Sequence, residues 1–140
     1  ETEEFDRLSK IIQKNNLEDT VIITGRSNEV RDYLKVCDIY LMPSVTEGFG
    51  ISLIEALAME KIVVVSDISP FKEIIDDNIN GFFFNTGNSK RLEVKIRDVI
   101  GLSIGKQREV KINGRRKVLE KFSSDKMVSE YSKLYLSNYN

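Results

Sequence analysis

The 140-residue chain contains no histidine. That removes the commonest general base and the commonest metal ligand. It has a single cysteine, Cys37, which excludes an internal disulfide framework and suits a reducing compartment. For that residue, packing as a small apolar side chain is favoured over reactivity. No charge of one sign dominates: 21 basic residues face 22 acidic ones, for a net charge of -1. The chain therefore lacks the global field and the basic stripe expected of a nucleic-acid or anionic-membrane binder. No stretch reads as a signal peptide, and no apolar run is long enough to span a bilayer. There is no initiator methionine, and the opening "ETEEFDRL" runs almost directly into a helix, which suggests a piece of something longer. What is present is a hydrophobic content of 41%, enough to bury a core in one domain or part of one.

Periodicity organises the chain. Phe5, Leu8, Ile11 and Ile12 are spaced for an amphipathic helix over 5–16. "TVIIT" (20–24), "DIYLMP" (38–43) and "IVVVS" (62–66) are short apolar runs that read as buried strands, and "FFF" (82–84) as a fourth. Helices are expected from Ser27 or Asn28 to about Val36, from the glycines at 48–50 onward, from a Ser69 cap with Pro70 at the first helical position to about Ile75, and from Asn88 or Ser89 to about Ile100. The segment from Gly105 to Tyr139 reads as two helices broken near "FSSD". Strands alternating with helices define an α/β class with a Rossmann-like parallel sheet and flanking helices. Ligands in such sheets bind outside the carboxyl ends of the strands. The loops there are "GRSN" (25–28) and "PSVTEGFG" (43–50).

The second loop carries the chemistry. Glycines between a strand end and a helix start let backbone N–H groups approach a ligand. The first N–H groups of a helix lack internal partners and sit at the positive end of its dipole. Gly50, Ile51 and Ser52 thus read either as a phosphate cradle or as a simple tight turn. Glu55 stands among Leu53, Ile54, Ala56, Leu57 and Ala58. An unpaired buried carboxylate costs several kcal/mol, on the order of the effective penalty for a buried ion, so it needs a partner. That partner is either a lysine, an arginine or backbone N–H groups, or a ligand with neutral hydroxyls such as a ribose diol. One extended ligand with hydroxyls at both ends and phosphate in the middle could meet Glu47, the cradle and Glu55; a nucleotide-diphospho-sugar has that layout.

The stretch "PSVTEGFGISLIEALA" resembles the signature of the retaining glycosyltransferases of family 4, in which two glutamates are separated by seven residues with Gly-Phe-Gly after the first. "LEDTVIITG", "CDIYLMPS", "IVVVSDISPFKEIIDDNINGFFF" and "KFSSDKMVSEYSKLY" resemble further family segments in the same order, so the likeness covers essentially the whole chain. It implies a GT-B fold, with residues 1–140 as a fragment of the C-terminal donor-binding domain and the acceptor-binding N-terminal domain absent. It implies that Glu55 holds the ribose hydroxyls. Glu47, with the N–H groups of Phe49 and Gly50 after Gly48, would hold the donor sugar. Ile51 and Ser52 would meet the diphosphate, and Gly25, Arg26 and Ser27 would border the base. The family holds its diphosphate without a metal and needs no other cofactor. The implied function is retaining transfer of a hexose to a glycan or lipid-linked acceptor in polysaccharide or glycoconjugate synthesis. The implied place is the cytoplasm or the inner membrane face, with no nucleic-acid partner.

The chain departs from the family at Glu60-Lys61-Ile62, where Gly-Pro is usual, and at Ile68-Ser69-Pro70, where paired glycines are common. It also lacks the upstream strand whose basic side chains clamp the diphosphate. Missing strands between 20–24 and 38–42 would leave these two either paired directly or free to associate with another chain. Alone, the chain is expected to be inactive. Two other readings compete: a non-catalytic parallel α/β module with Glu55 paired internally, and another GT-B enzyme such as a nucleotide-sugar epimerase, whose usual histidines are missing. Outside the motif, 106–121 reads as a solvated basic helix face, Phe82–Phe84 as core, and Glu73 as either the family's post-strand glutamate or a local cap.

Overall fold

The computed structural model describes residues 3–137, which fall into two compact units, Glu1–Val30 and Arg31–Asn140. In the first unit, α1 (Glu3–Lys14) buries none of its residues, and Arg7 pairs with Glu4 at 2.6 Å on its exposed face. The helix ends two residues before the expected boundary, and Asn16 takes up a left-handed φ of 52°. The expected strand at 20–24 does not form. Thr20 N–H and Val21 N–H both donate back to Leu17 C=O in a turn, the rest of the run joins no ladder, and Ile22 is 82% exposed. β-Branched residues favour extended backbone, but a strand also needs a neighbour for its N–H and C=O groups. No strand among the described residues offers one, so the expected direct pairing of 20–24 with 38–42 is absent too.

The second unit holds a three-stranded parallel sheet in the order β1 (Ile39–Met42), β2 (Ile62–Ser66), β3 (Phe82–Phe84). Ile39 pairs with Ile62 and Val64 with Phe82. Every residue of β2 is buried, as expected of a central strand covered on both faces. Alternation along it divides the core. Val63 and Val65 pack with Leu34 of α2 (Val30–Val36), with Leu53 and Leu57 of α3 (Ile51–Ala58), and with Phe71 and Ile74 of α4 (Ser69–Ile74). Ile62 and Val64 pack with Phe82, Phe84 and Val99 of α5 (Ser89–Ile100).

α6 (Ile104–Lys121) contributes Val110 to one cluster and Val118 to the other. It lies against α3 so closely that a Cβ on Gly114 would sit 2.7 Å from Leu57 Cδ2. α7 (Ser124–Ser137) follows the expected break and buries none of its residues. Of the three predicted caps, one holds and two fall differently. Asn88 does cap α5, its side chain accepting from Arg91 N–H. Ile68, not Ser69, stands at the cap of α4, which moves Pro70 to the second helical position. Ser27 accepts from Glu29 N–H at 3.0 Å, and α2 starts later, at Val30.

Candidate nucleotide-sugar site

The site is assembled where β1 ends and α3 begins. Pro43 stops β1, and the loop runs to Gly50, the N-cap of α3, with φ 96° and ψ 51°. That left-handed backbone suits glycine, and so does the space: a Cβ there would lie 3.0 Å from Cε1 of the fully buried Phe71. Gly50 C=O accepts from Leu53 N–H and Ile54 N–H, which closes the first turn. Among the described residues, the N–H groups of Phe49, Gly50, Ile51 and Ser52 donate to no protein acceptor. The first turn carries no acidic side chain to occupy them. Ser52 Oγ donates to Met42 Sδ at 3.8 Å, tying the helix start to the strand end.

The other end of α3 is closed. Glu60 N–H donates to Leu57 C=O and Lys61 N–H to Ala56 C=O, the pair of bonds that ends a helix with a left-handed residue, here Glu60 at φ 56°. Arg115 Nη1 donates to Ala58 C=O at 2.6 Å, placing a cation at the negative end of the dipole. The carbonyl end is thus capped by protein, while the N–H end is left open to an anion.

Glu55 corrects the expectation of a carboxylate forced into an apolar environment. It is exposed. Leu53, Ala56 and Leu57 form the buried face, and Glu55 shares the opposite face with Ile51, four residues earlier and 68% exposed. Among the described residues it makes no ion pair and no side-chain hydrogen bond. The internal lysine or arginine partner is therefore not found. Glu47 is half-buried, and among the described residues its Oε1 accepts only from the adjacent Gly48 N–H, at 3.1 Å. Its remaining acceptor capacity is uncommitted.

The structure thus brings Glu47, Gly48, Phe49, Gly50, Ile51, Ser52 and Glu55 into one strand–loop–helix corner. Gly25, Arg26 and Ser27 lie in the first unit, where Gly25 has φ 65° and Arg26 is exposed. Two supporting residues escaped the sequence reading. Phe71 underlies Gly50, and Phe122 meets Phe49 edge-on, ring centroids 5.8 Å apart at 66°. Neither belongs to the motif, and no local pattern signals a contact between elements so distant in sequence. Beside this aromatic pair, hydrogen bonds from Lys133 and then Lys126 hold the Glu130 carboxyl below its ordinary value.

The parallel α/β sheet with flanking helices is that of the GT-B glycosyltransferases, and outside its strand ends it carries an uncommitted helix N-terminus and the carboxylates of Glu47 and Glu55. Residues 1–138 match the family described as glycosyl transferases group 1, and the chain belongs to it. An uncharacterized glycosyltransferase of Methanocaldococcus jannaschii is 27% identical over 132 residues, covering 94% of this chain and 37% of that protein. The poly(ribitol-phosphate) alpha-N-acetylglucosaminyltransferase of Staphylococcus aureus is 28% identical over 139 residues, covering 94% and 27%. Anabaena HepE, solved with UDP and glucose, superposes with a TM-score of 0.88 at 22% identity over 95% of this chain and 36% of its own. The chain therefore spans about a third of the length of the proteins it resembles.

Proposed function

We propose that this chain is the donor-binding part of a retaining glycosyltransferase that moves a hexose from a nucleotide-diphospho-sugar to a glycan or lipid-linked acceptor. One observation carries the reading: the unpaired Glu55 carboxylate lies one turn below four uncommitted N–H groups, on the same open face as Ile51. A ribose diol donates to a carboxylate, and a diphosphate accepts from N–H groups. The corner therefore matches a nucleoside diphosphate without help from a metal. Glu47, with the N–H groups of Phe49 and Gly50, takes hydroxyls of the sugar.

In this reading the bond between the anomeric carbon and the diphosphate oxygen breaks as positive charge grows on the carbon. The N–H groups of Ile51 and Ser52 stabilise the leaving oxygens with dipoles already in place. Glu47 orients the sugar and stabilises its cationic character. The acceptor is held by sequence outside this chain, and the chain by itself does not turn over substrate. The setting is polysaccharide or glycoconjugate synthesis in the cytoplasm or at the inner membrane face. The match to the Staphylococcus aureus polymer glycosyltransferase supports the polymer-synthesis part of this reading.

The test is a thermal-shift panel of UDP, GDP, ADP and their glucose conjugates on the full-length protein, repeated with Glu55→Ala. One nucleotide is expected to raise Tm. Glu55→Ala is expected to weaken its binding by about 1.5–3 kcal/mol, the worth of charge-assisted hydrogen bonds. A panel with no shift, or a shift untouched by Glu55→Ala, overturns the proposal.

A further inference from the structure

The loop that presents Glu47 is anchored unevenly. Its far end is fixed, because Gly50 rests on Phe71 and closes the first turn of α3. Its middle is not. Phe49 is 43% exposed, and its one aromatic contact among the described residues is the edge-to-face meeting with Phe122. Phe122 is the firmer of the two. It is the C-cap of α6, its N–H donates to Val118 C=O at 2.8 Å, and its half-buried side chain packs against the cluster that holds Leu53, Leu57 and Phe71. Both rings line one surface cavity of about 290 Å³, together with Met127 and Glu130. The next residue, Ser123, turns the chain into α7, its Oγ accepting from Lys126 N–H at 3.3 Å.

We infer that Phe122 is a positioning residue of the donor site. Through its contact with Phe49 it sets the conformation of Glu47, Gly48 and Phe49, and so the sugar end of the cradle. The diphosphate and ribose end, built on α3 over Phe71, does not depend on it. The inference rests on the donor-site reading, which assigns the sugar to Glu47 and the nucleotide to Ile51, Ser52 and Glu55.

Its signature is a split between ligands. In the full-length protein, calorimetry measures Kd for UDP, GDP and ADP and for their glucose conjugates, using the nucleotide that binds. Phe122→Leu keeps apolar volume but removes the ring. It is expected to raise Kd for the glucose conjugate roughly two- to tenfold, the range an edge-to-face contact is worth, and to leave Kd for the free diphosphate within about twofold. Phe122→Tyr keeps the ring and is expected to restore wild-type values. Phe49→Leu is expected to reproduce the effect, and the double variant to add nothing to it. Equal weakening of both ligands, unchanged binding of both, additivity in the double variant, or failure of Tyr to restore the glucose conjugate each overturns the inference. If the free diphosphate still depends on Glu55 while Phe122→Leu shows no split, only this inference falls. If no nucleotide binds, or binding ignores Glu55, the donor-site reading falls and takes this one with it.

Discussion

Gly50 is where two independent constraints meet in one residue. Its backbone is left-handed at φ 96°, and a Cβ would crowd the ring of Phe71. Gly50→Ala therefore meets strain of roughly 1–2 kcal/mol from the backbone alone. The added contact cannot be relieved cheaply, because Phe71 is fully buried. We expect a lower urea midpoint at unchanged slope, together with loss of the nucleotide binding proposed for this corner, since Gly50 sets the backbone that carries the N–H groups of Ile51 and Ser52. A variant of wild-type stability that still binds nucleotide would show that the loop tolerates another backbone path. The glycine itself was legible in "EGFG", because the residue type announces unusual backbone. Its second reason was not, because Phe71 enters from another helix. Glu55 shows the opposite case. Its neighbours in sequence are apolar, yet helical spacing turns them away from it and leaves the carboxylate in the open.

At the scale of elements, α3 is short and depends on what holds its ends and flank. Glu60 ends it in a left-handed conformation that an L side chain pays for, with a 3.7 Å approach to half-exposed Arg115 as small compensation. Glu60→Gly is expected to stabilise the protein by about 0.5–1 kcal/mol, the relief of left-handed strain less the extra entropy of the unfolded glycine chain. A denaturant midpoint that falls on this substitution would contradict it. Gly114 gives the opposite sign. Leu57 and the carbonyl of Asn80 already fill the space beside it, so Gly114→Val is expected to cost about 1–3 kcal/mol by pushing α6 off α3.

The elements themselves were largely readable. The strands at 62–66 and 82–84 and the helix capped by Asn88 fall where their patterns predict. The run at 20–24 has an equally good strand composition and forms none, because a pattern specifies which residues could be buried, not whether a neighbouring strand is there to receive them.

At the scale of the whole molecule, much apolar surface is left uncovered among the described residues. β1 pairs on one edge only, and Leu41 is 40% exposed. Ile22 in the unladdered run and Met127, Tyr131, Leu134 and Tyr135 on α7 are more than half exposed. Free edges and apolar faces of this kind associate. The 140-residue chain expressed alone is therefore expected to self-associate, with a sedimentation coefficient that rises with concentration. Ile22→Lys combined with Leu41→Lys is expected to lessen it. A monodisperse monomer across the concentration range would refute the expectation.

No helix among the described residues is long and apolar enough to cross a membrane. What the sequence by itself determined is local: which runs suit strand or helix, where glycine must stand, and which two carboxylates flank a helix start. Spacing and residue type carry that information directly. Only the tertiary structure decided that Glu55 faces outward with no protein partner among the described residues, that Phe71 and Phe122 meet Gly50 and Phe49 from elements distant in sequence, and that the run at 20–24 forms no strand. Those outcomes depend on which surfaces meet across the chain, and a one-dimensional pattern encodes the preference of each surface but not its partner.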